Sequence, residues 1–122
     1  MFKLKSISNF KYLQVKSKNF NNIKAYFTTR QGGISKGPFK SLNLGLSTGD
    51  SPKNVQKNKD ILCNNLNINP KLISKGEQIH GKKVAIIENH GELITGVDGL
   101  LTNKKKYSFT NYSCRLCALI FL

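Results

Sequence analysis

A chain of 122 residues is long enough for one domain with a modest hydrophobic core, so we expect a single domain or part of one. Its formal net charge of +14 comes from 20 Lys and Arg against 6 Asp and Glu, which raises the question of an anionic partner. Only Arg30 and Arg115 are arginines, and the lysines are scattered except at 104–106, so we expect solvated surface lysines and no dedicated nucleic-acid site.

The cysteine count and the amino-terminal residues indicate the compartment. Cys63, Cys114 and Cys117 make an odd number, and no cleavable signal peptide precedes them. The chain also lacks an apolar stretch near the length of about 20 residues that crosses a bilayer. We therefore expect a soluble, cytoplasmic chain without a membrane partner.

The first predicted elements are short strands. Alternating apolar residues over 2–15 predict one or two strands, and residues 23–29 predict another before the break at Gly32 and Gly33. Glycine and proline residues then indicate a loop-rich stretch.

A helix is predicted over 53–66. Asp50 or Ser51 suits its N-cap, and Pro52 suits its first turn. The apolar residues near helical spacing are Val55, Ile61, Leu62 and Leu66. We expect this stripe to pack on the sheet, with Cys63 buried beside it.

Short elements follow the helix. Residues 82–87 predict a strand directly after His80, residues 91–96 indicate a loop, and residues 98–102 indicate a tight turn followed by a short strand. The apolar tail at 113–122 has no following strand, so we expect it to lack partners and to favour self-association.

His80 is the candidate for chemistry. It stands between Gln78 and Gly81 rather than among core residues, and imidazole is a common metal ligand and proton carrier near neutral pH. His90 has no comparable flank, and we expect it to be a loop residue.

Several short motifs occur in a fixed order. They are Phe-Thr-Thr-Arg-Gln-Gly-Gly-Ile-Ser at 27–35, Gly-Pro-Phe at 37–39, Ser-Leu-Asn-Leu-Gly at 41–45, Gly-Asp at 49–50, Asn58, Gln-Ile-His-Gly at 78–81 and Asp-Gly-Leu-Leu-Thr at 98–102. In order and spacing they resemble the multicopper polyphenol oxidase (laccase-domain) family, whose members are described as purine nucleoside phosphorylases. The series is far more specific than any one of its motifs.

The resemblance implies an α/β fold of layered sheets flanked by helices, of which this chain would supply only the amino-terminal half. Residues 1–122 are then one incomplete domain. The resemblance also implies three metal ligands, namely the His of Gln-x-His-Gly, the Cys of Ala-Asp-Cys-x-Pro and a later His. The first maps onto His80, the second falls by position near Cys117, and the third lies beyond Leu122. Such a ligand set favours Zn²⁺, and Cu²⁺ is the alternative.

The region of the second ligand departs from the family pattern. No Asp precedes either cysteine, yet permitted codons for 113–122, read one base later, encode Ala-Ala-Asp-Cys-Val-Pro-Leu-Phe-Phe. Our hypothesis is that this tail is an out-of-frame translation, and gene codons that cannot yield Asp-Cys in the shifted frame would refute it.

The resemblance implies phosphorolysis of adenosine, inosine or methylthioadenosine to base and ribose 1-phosphate, with adenosine deamination as a side activity. Purine nucleoside and phosphate are then the expected partners. Arg30 is the candidate for phosphate or ribose, since guanidinium offers paired donors, although it also fits an ordinary surface arginine. Asn43 is a candidate for the nucleoside or satisfies its own loop, and Gln78 positions substrate or orients His80.

One secure metal ligand does not retain zinc tightly, so we expect this chain alone to be inactive. The alternative is a small basic module that binds polyanions or nucleic acid through its lysines. A salt titration separates the two, because polyanion binding weakens steeply with ionic strength.

Overall fold

The structure, a computed structural model, describes residues 1–16, 18–20, 23–112 and 117–121. The strands are β1 (Phe2–Ile7), β2 (Phe10–Val15), β3 (Lys24–Thr28), β4 (Ile73–Glu77), β5 (Val84–Ile86), β6 (Leu93–Thr95), β7 (Gly99–Leu101), β8 (Ser108–Tyr112) and β9 (Cys117–Phe121). One α-helix, α1 (Pro52–Leu66), occurs in these ranges. The 3₁₀ turns are Lys18–Phe20, Gly37–Phe39, Leu46–Thr48 and Pro70–Leu72.

Seven strands form a mixed sheet in the order β1-β2-β3-β9-β8-β4-β6. The first five strands of this order, β1-β2-β3-β9-β8, pair antiparallel with one another. β4 pairs parallel with both β8 and β6. A second, two-stranded sheet pairs β5 parallel with β7. The predicted mixed α/β class is confirmed.

The amino-terminal prediction is also confirmed. Residues 2–15 form a hairpin in which Phe2 lies opposite Val15 and Ile7 lies opposite Phe10. Ser8 makes the turn with a left-handed φ of 52°. β3 then continues the antiparallel sheet, as alternation over 23–29 predicted.

Helix α1 begins one residue before the predicted start and ends at the predicted residue. Ser51 occupies the N-cap without a side-chain hydrogen bond, and Asn67 ends the helix in the left-handed conformation. Val55 and Leu62 are fully buried, as the stripe predicted. Cys63 is buried too, and that burial raises the pKa of its thiol.

The main core joins β2, the loop before α1, α1 itself and β4. Its buried members are Phe10, Tyr12, Leu42, Leu44, Leu62, Cys63 and Ile73. The rings of Phe10 and Tyr12 lie 5.4 Å apart, and Tyr12 meets Tyr26 edge-on at 5.5 Å. These contacts fix the loop and the helix on one side of the sheet.

Two predictions were wrong. Residues 91–96 contain β6, because the backbone there pairs with β4 and the Lys75 N–H donates to the Glu92 carbonyl at 2.7 Å. The tail strand β9 does not lack partners, since its backbone pairs with β3 on one side and β8 on the other. Residues 113–116 and 122 of the tail lie outside the described residues.

No helix within the described ranges combines the length and apolar character needed to span a membrane.

Candidate functional site

The segment 30–50, here called the clamped loop, is folded back on itself by backbone hydrogen bonds. The Arg30 carbonyl accepts from the Ser41 and Leu42 N–H groups at 2.9 and 2.8 Å, and from the Ser41 hydroxyl at 2.9 Å. The Ser35 N–H donates to the Ser41 carbonyl at 2.9 Å. The two arms of the loop are therefore held side by side without belonging to a sheet.

The side chain of Asn58, on α1, holds this loop through hydrogen bonds. This side chain is completely buried, and its Oδ1 accepts from the Ile34 N–H at 2.8 Å. Its Nδ2 donates to the Ser35 hydroxyl and to the Asn43 carbonyl, both at 2.8 Å. One buried amide thus satisfies three polar groups of the loop, and its hydrogen bonds to Ser35 and Asn43 are buried.

Both glycines of the Gly-Gly break are required by packing. Gly32 has a φ of +100°, and a Cβ there would lie 2.5 Å from the Phe10 Cα. A Cβ on Gly33 would lie 2.1 Å from the Ser41 carbonyl oxygen. The close approach that glycine permits here is an approach to neighbouring backbone.

Asp50 closes the clamped loop at its carboxyl end. Its carboxylate accepts from the Ser35 hydroxyl at 2.5 Å, the Asn43 amide at 3.2 Å, the Ser51 N–H at 2.8 Å and the Asn54 amide at 3.3 Å. These donors, Ser35 foremost, hold the pKa of Asp50 below its ordinary value even though burial acts in the opposite direction. Asp50 is therefore a structural carboxylate that stays ionised.

Residues of the clamped loop line a cleft of about 380 Å³. Its lining residues are Arg30, Pro38, Phe39, Lys40, Leu42, Asn43, Ser47 and Thr48. The described lining contains two cations and no carboxylate, so the cleft favours an anion.

Arg30 and Asn43 both line this cleft, but they differ in exposure and in hydrogen bonding. Arg30 is exposed, and its Nε donates to the Lys40 carbonyl at 3.2 Å, which holds the guanidinium at the edge of the cleft. Asn43 is buried, its Nδ2 donates to the Thr48 hydroxyl at 2.7 Å, and its Oδ1 accepts from the Gly45 N–H at 3.2 Å. Of the two, Arg30 is better placed to meet a ligand.

The His80 loop, residues 78–81, is the first part of the connection from β4 to β5. Both Gln78 and His80 are exposed, and His80 has a left-handed φ of 57°, which is uncommon for a residue with a side chain. The residues that line the cleft all lie between 30 and 48, so Gln78 and His80 are outside it. The structure therefore places the four candidate residues in two separate groups.

Asp98 holds the His80 loop in this conformation. Its carboxylate accepts three successive backbone N–H groups, from Ile79 at 3.1 Å, His80 at 2.8 Å and Gly81 at 2.7 Å. Asp98 is itself fixed by its N–H, which donates to the Lys83 carbonyl at 2.9 Å. The sequence predicted only a tight turn here and missed this function of Asp98.

Of the metal ligands predicted from the sequence, His80 is the one whose side chain the structure describes. Within the described ranges, no group of three or more His, Cys, Asp or Glu lies close enough together to hold a metal ion. The side chain of Cys117 and all of Cys114 are outside the described residues. The imidazole of His80 does not by itself fit a zinc or copper centre, because such sites need three or four ligands.

His90 lies in a loop, as predicted, and stacks on the Tyr107 ring at 4.0 Å.

Comparison with known proteins agrees with the motif series. The family described as multi-copper polyphenol oxidoreductase laccase matches residues 24–115. A purine nucleoside phosphorylase of Corynebacterium glutamicum is 34% identical over 86 residues, which cover 68% of this chain and 35% of that protein. The purine nucleoside phosphorylase YlmD of Geobacillus stearothermophilus is 34% identical over 94 residues, which cover 70% of this chain and 34% of that protein.

The fold agrees as well. The crystal structure of YlmD from Geobacillus stearothermophilus matches with a TM-score of 0.79 and 27% identity, and the match covers 95% of this chain and 50% of that one. This chain spans half of that solved relative, and about a third of the length of the two sequence relatives. Because the family match takes in most of the chain, this chain belongs to the multi-copper polyphenol oxidoreductase laccase family.

Proposed function

We propose that this chain carries the phosphate-binding part of a purine nucleoside phosphorylase site. The substrates are adenosine, inosine or methylthioadenosine, and adenosine deamination is a side activity. Family membership and relatives named purine nucleoside phosphorylase support the reaction class. The observation that carries the proposal to particular residues is the cationic cleft beside Arg30 and Lys40.

Phosphorolysis needs an anion held next to a ribose. An oxygen of phosphate bonds to C1′ of the ribose, the bond from C1′ to the purine nitrogen breaks, and the base leaves with the electron pair. Arg30 supplies a fixed guanidinium for the phosphate, and Lys40 adds a second positive charge at the same cleft. The Ser47 hydroxyl, which also lines the cleft, suits a phosphate or ribose oxygen. The Thr48 hydroxyl already donates to the Gly45 carbonyl at 3.0 Å and therefore holds the loop.

In this proposal the exposed His80 loop faces the nucleoside, with Gln78 as a positioning residue. The proposal includes metal dependence, with His80 as the one described residue that would bind the metal. Because the described residues do not complete a metal centre, no step of the reaction is assigned to zinc or copper. For the same reason we propose that this chain binds phosphate and nucleoside without turning them over.

The test is a titration of the isotopically labelled chain with inorganic phosphate, followed by NMR. Chemical shifts should move at Arg30, Lys40 and Thr48, and inosine added afterwards should move those of the His80 loop. Arg30→Gln should weaken phosphate binding at least about tenfold, because a hydrogen bond to a charged group contributes about 1.5–3 kcal/mol and about 1.4 kcal/mol is a factor of ten.

Lys53→Gln is the matched control. It removes one positive charge from an exposed position on α1 outside the cleft. If this variant weakens binding as much as Arg30→Gln does, phosphate is attracted by the lysine surface in general. That result would reject the cleft and favour the polyanion-binding alternative.

A further inference from the structure

The two-stranded sheet exposes a row of aliphatic side chains, here called the β5–β7 face. Val84, Ile86 and Leu101 are 64%, 66% and 58% exposed. The register places Val84 opposite Gly99 and Ile86 opposite Leu101, so the three side chains share one face of the sheet. Isolated exposed aliphatic residues are normal, but a contiguous row on one sheet face is typical of a surface that binds something.

The other face of the same sheet is already covered. Leu100 points toward β4, where a Cβ built on Gly76 would lie 3.5 Å from the Leu100 Cδ2, and Ala85 beside it is partly buried. Parallel strands occur almost only where both faces of the sheet are packed, and two strands alone have little stability. The β5–β7 face is therefore the uncovered side of a layer that needs a second cover.

The family relationship indicates what that cover is. The match to the crystal structure of Geobacillus stearothermophilus YlmD covers 95% of this chain and 50% of that one, so the relative carries about as many further residues in the same polypeptide. β1 also exposes apolar residues, Phe2 and Leu4, but β1 lies outside the family match at 24–115, whereas β5 and β7 lie inside it. β1 also belongs to an antiparallel region, where one face is commonly solvated.

A second copy of this chain is a poorer occupant. Each copy carries a net charge of +14, and lysines flank the β5–β7 face at both ends, with Lys82 and Lys83 before β5 and the run at 104–106 after β7. Face-to-face pairing of two copies would bring these charges together and would be opposed by their repulsion.

We propose that the β5–β7 face is the docking surface for a polypeptide equivalent to the second half of the YlmD fold. The interaction is independent of the nucleoside proposal, because it depends on Val84, Ile86 and Leu101 and on none of the candidate substrate residues. It also gives the two parallel strands their second cover.

The test produces this chain, carrying an affinity tag, in the same cells as the second half of Geobacillus stearothermophilus YlmD. The second half should be recovered with the chain in an equimolar complex. Val84→Lys combined with Ile86→Lys should reduce its recovery about tenfold, since a charge placed in an apolar interface costs at least the 1.4 kcal/mol that a factor of ten represents. Hydrogen exchange should slow at 84–86 and 99–101 in the complex.

Phe2→Lys combined with Leu4→Lys is the matched control, because these residues are 63% and 62% exposed on β1 and the two changes add the same two charges. It should leave recovery unchanged. Failure to recover the second half, equal losses from the two variants, or sedimentation of this chain alone as a dimer that the Val84 and Ile86 changes dissociate would each overturn the proposal. Leu101→Lys provides a second variant of the same face should the double substitution reduce the yield of folded chain.

Discussion

The clamped loop and the His80 loop both carry motifs of the family, but they are held in different ways. In the clamped loop, buried Asn58 makes three hydrogen bonds and Asp50 makes four, so several anchors act on the same stretch of chain. The His80 loop is exposed, and one carboxylate, that of Asp98, accepts all three of its successive N–H groups. A motif in the first loop mainly specifies structure, whereas a motif in the second presents a reactive side chain to solvent.

The comparison predicts that the largest effect on stability comes from the clamped loop. Asn58→Ala should lower the free energy of unfolding by about 3 kcal/mol, because it removes the partner of the Ile34 N–H and of the buried Ser35 hydroxyl and Asn43 carbonyl. Urea unfolding followed by circular dichroism measures the change.

Asn64→Ala is the control for this substitution, since Asn64 is an exposed asparagine of the same helix. It should change stability by less than about 0.5 kcal/mol. Equal losses from the two variants would mean that Asn58 contributes through helix propensity and does not anchor the loop.

Part of the fold could be predicted from the sequence. Alternation and helical spacing predicted strands over 2–15, β3 and α1, because such patterns are set by residues close in the chain. β6 was missed because a three-residue strand such as Leu93–Thr95 has almost no pattern of its own. The pairing of β9 was missed because its partner β3 lies far away in sequence and its other partner, the adjacent β8, was not predicted as a strand.

The site shows the same limit. Asn58 lies three residues after Val55 and four before Leu62, on the buried face of α1, and an amide at such a position must be hydrogen-bonded. That signal was present and was not used. Asp98 offered no comparable signal, because its contact with His80 joins residues 18 apart and exists only after β4, β5 and β7 have assembled.

The His80 loop should give a smaller and more local effect. Asp98→Ala should cost about 1 kcal/mol of global stability, because the loop is exposed and water can replace the carboxylate. Hydrogen exchange of the Ile79, His80 and Gly81 amides should nevertheless accelerate about tenfold, since all three lose their acceptor and local opening becomes easier. NMR-detected exchange measures each amide.

Two further variants sharpen this prediction. Asp98→Asn keeps one carbonyl oxygen and should give an intermediate acceleration. Asp60→Ala removes an exposed carboxylate that accepts from the Gln56 amide at 3.1 Å, and it should leave the amides at 79–81 unchanged. Unchanged exchange in Asp98→Ala would show that the β-strands on either side, and not the carboxylate, shape the loop.

The smallest expected effect is a change of stability at acid pH that comes from Asp50 of the clamped loop. The pKa of Asp50 is lower in the folded chain than in the unfolded chain, so between these two values the unfolded chain binds more protons and stability rises with pH. The contribution of Asp50 to stability is complete above its unfolded pKa of about 3.9 and is lost as pH falls through the lower folded pKa.

Asp50→Asn should flatten this acid dependence of stability in urea unfolding measured from about pH 5 downward. Ser35→Ala should flatten it in part, because the Ser35 hydroxyl is the strongest of the donors that lower the pKa. An acid dependence equal to that of the unchanged chain in both variants would mean that other carboxylates control acid unfolding and that the clamped loop is held by Asn58 without help from the charge of Asp50.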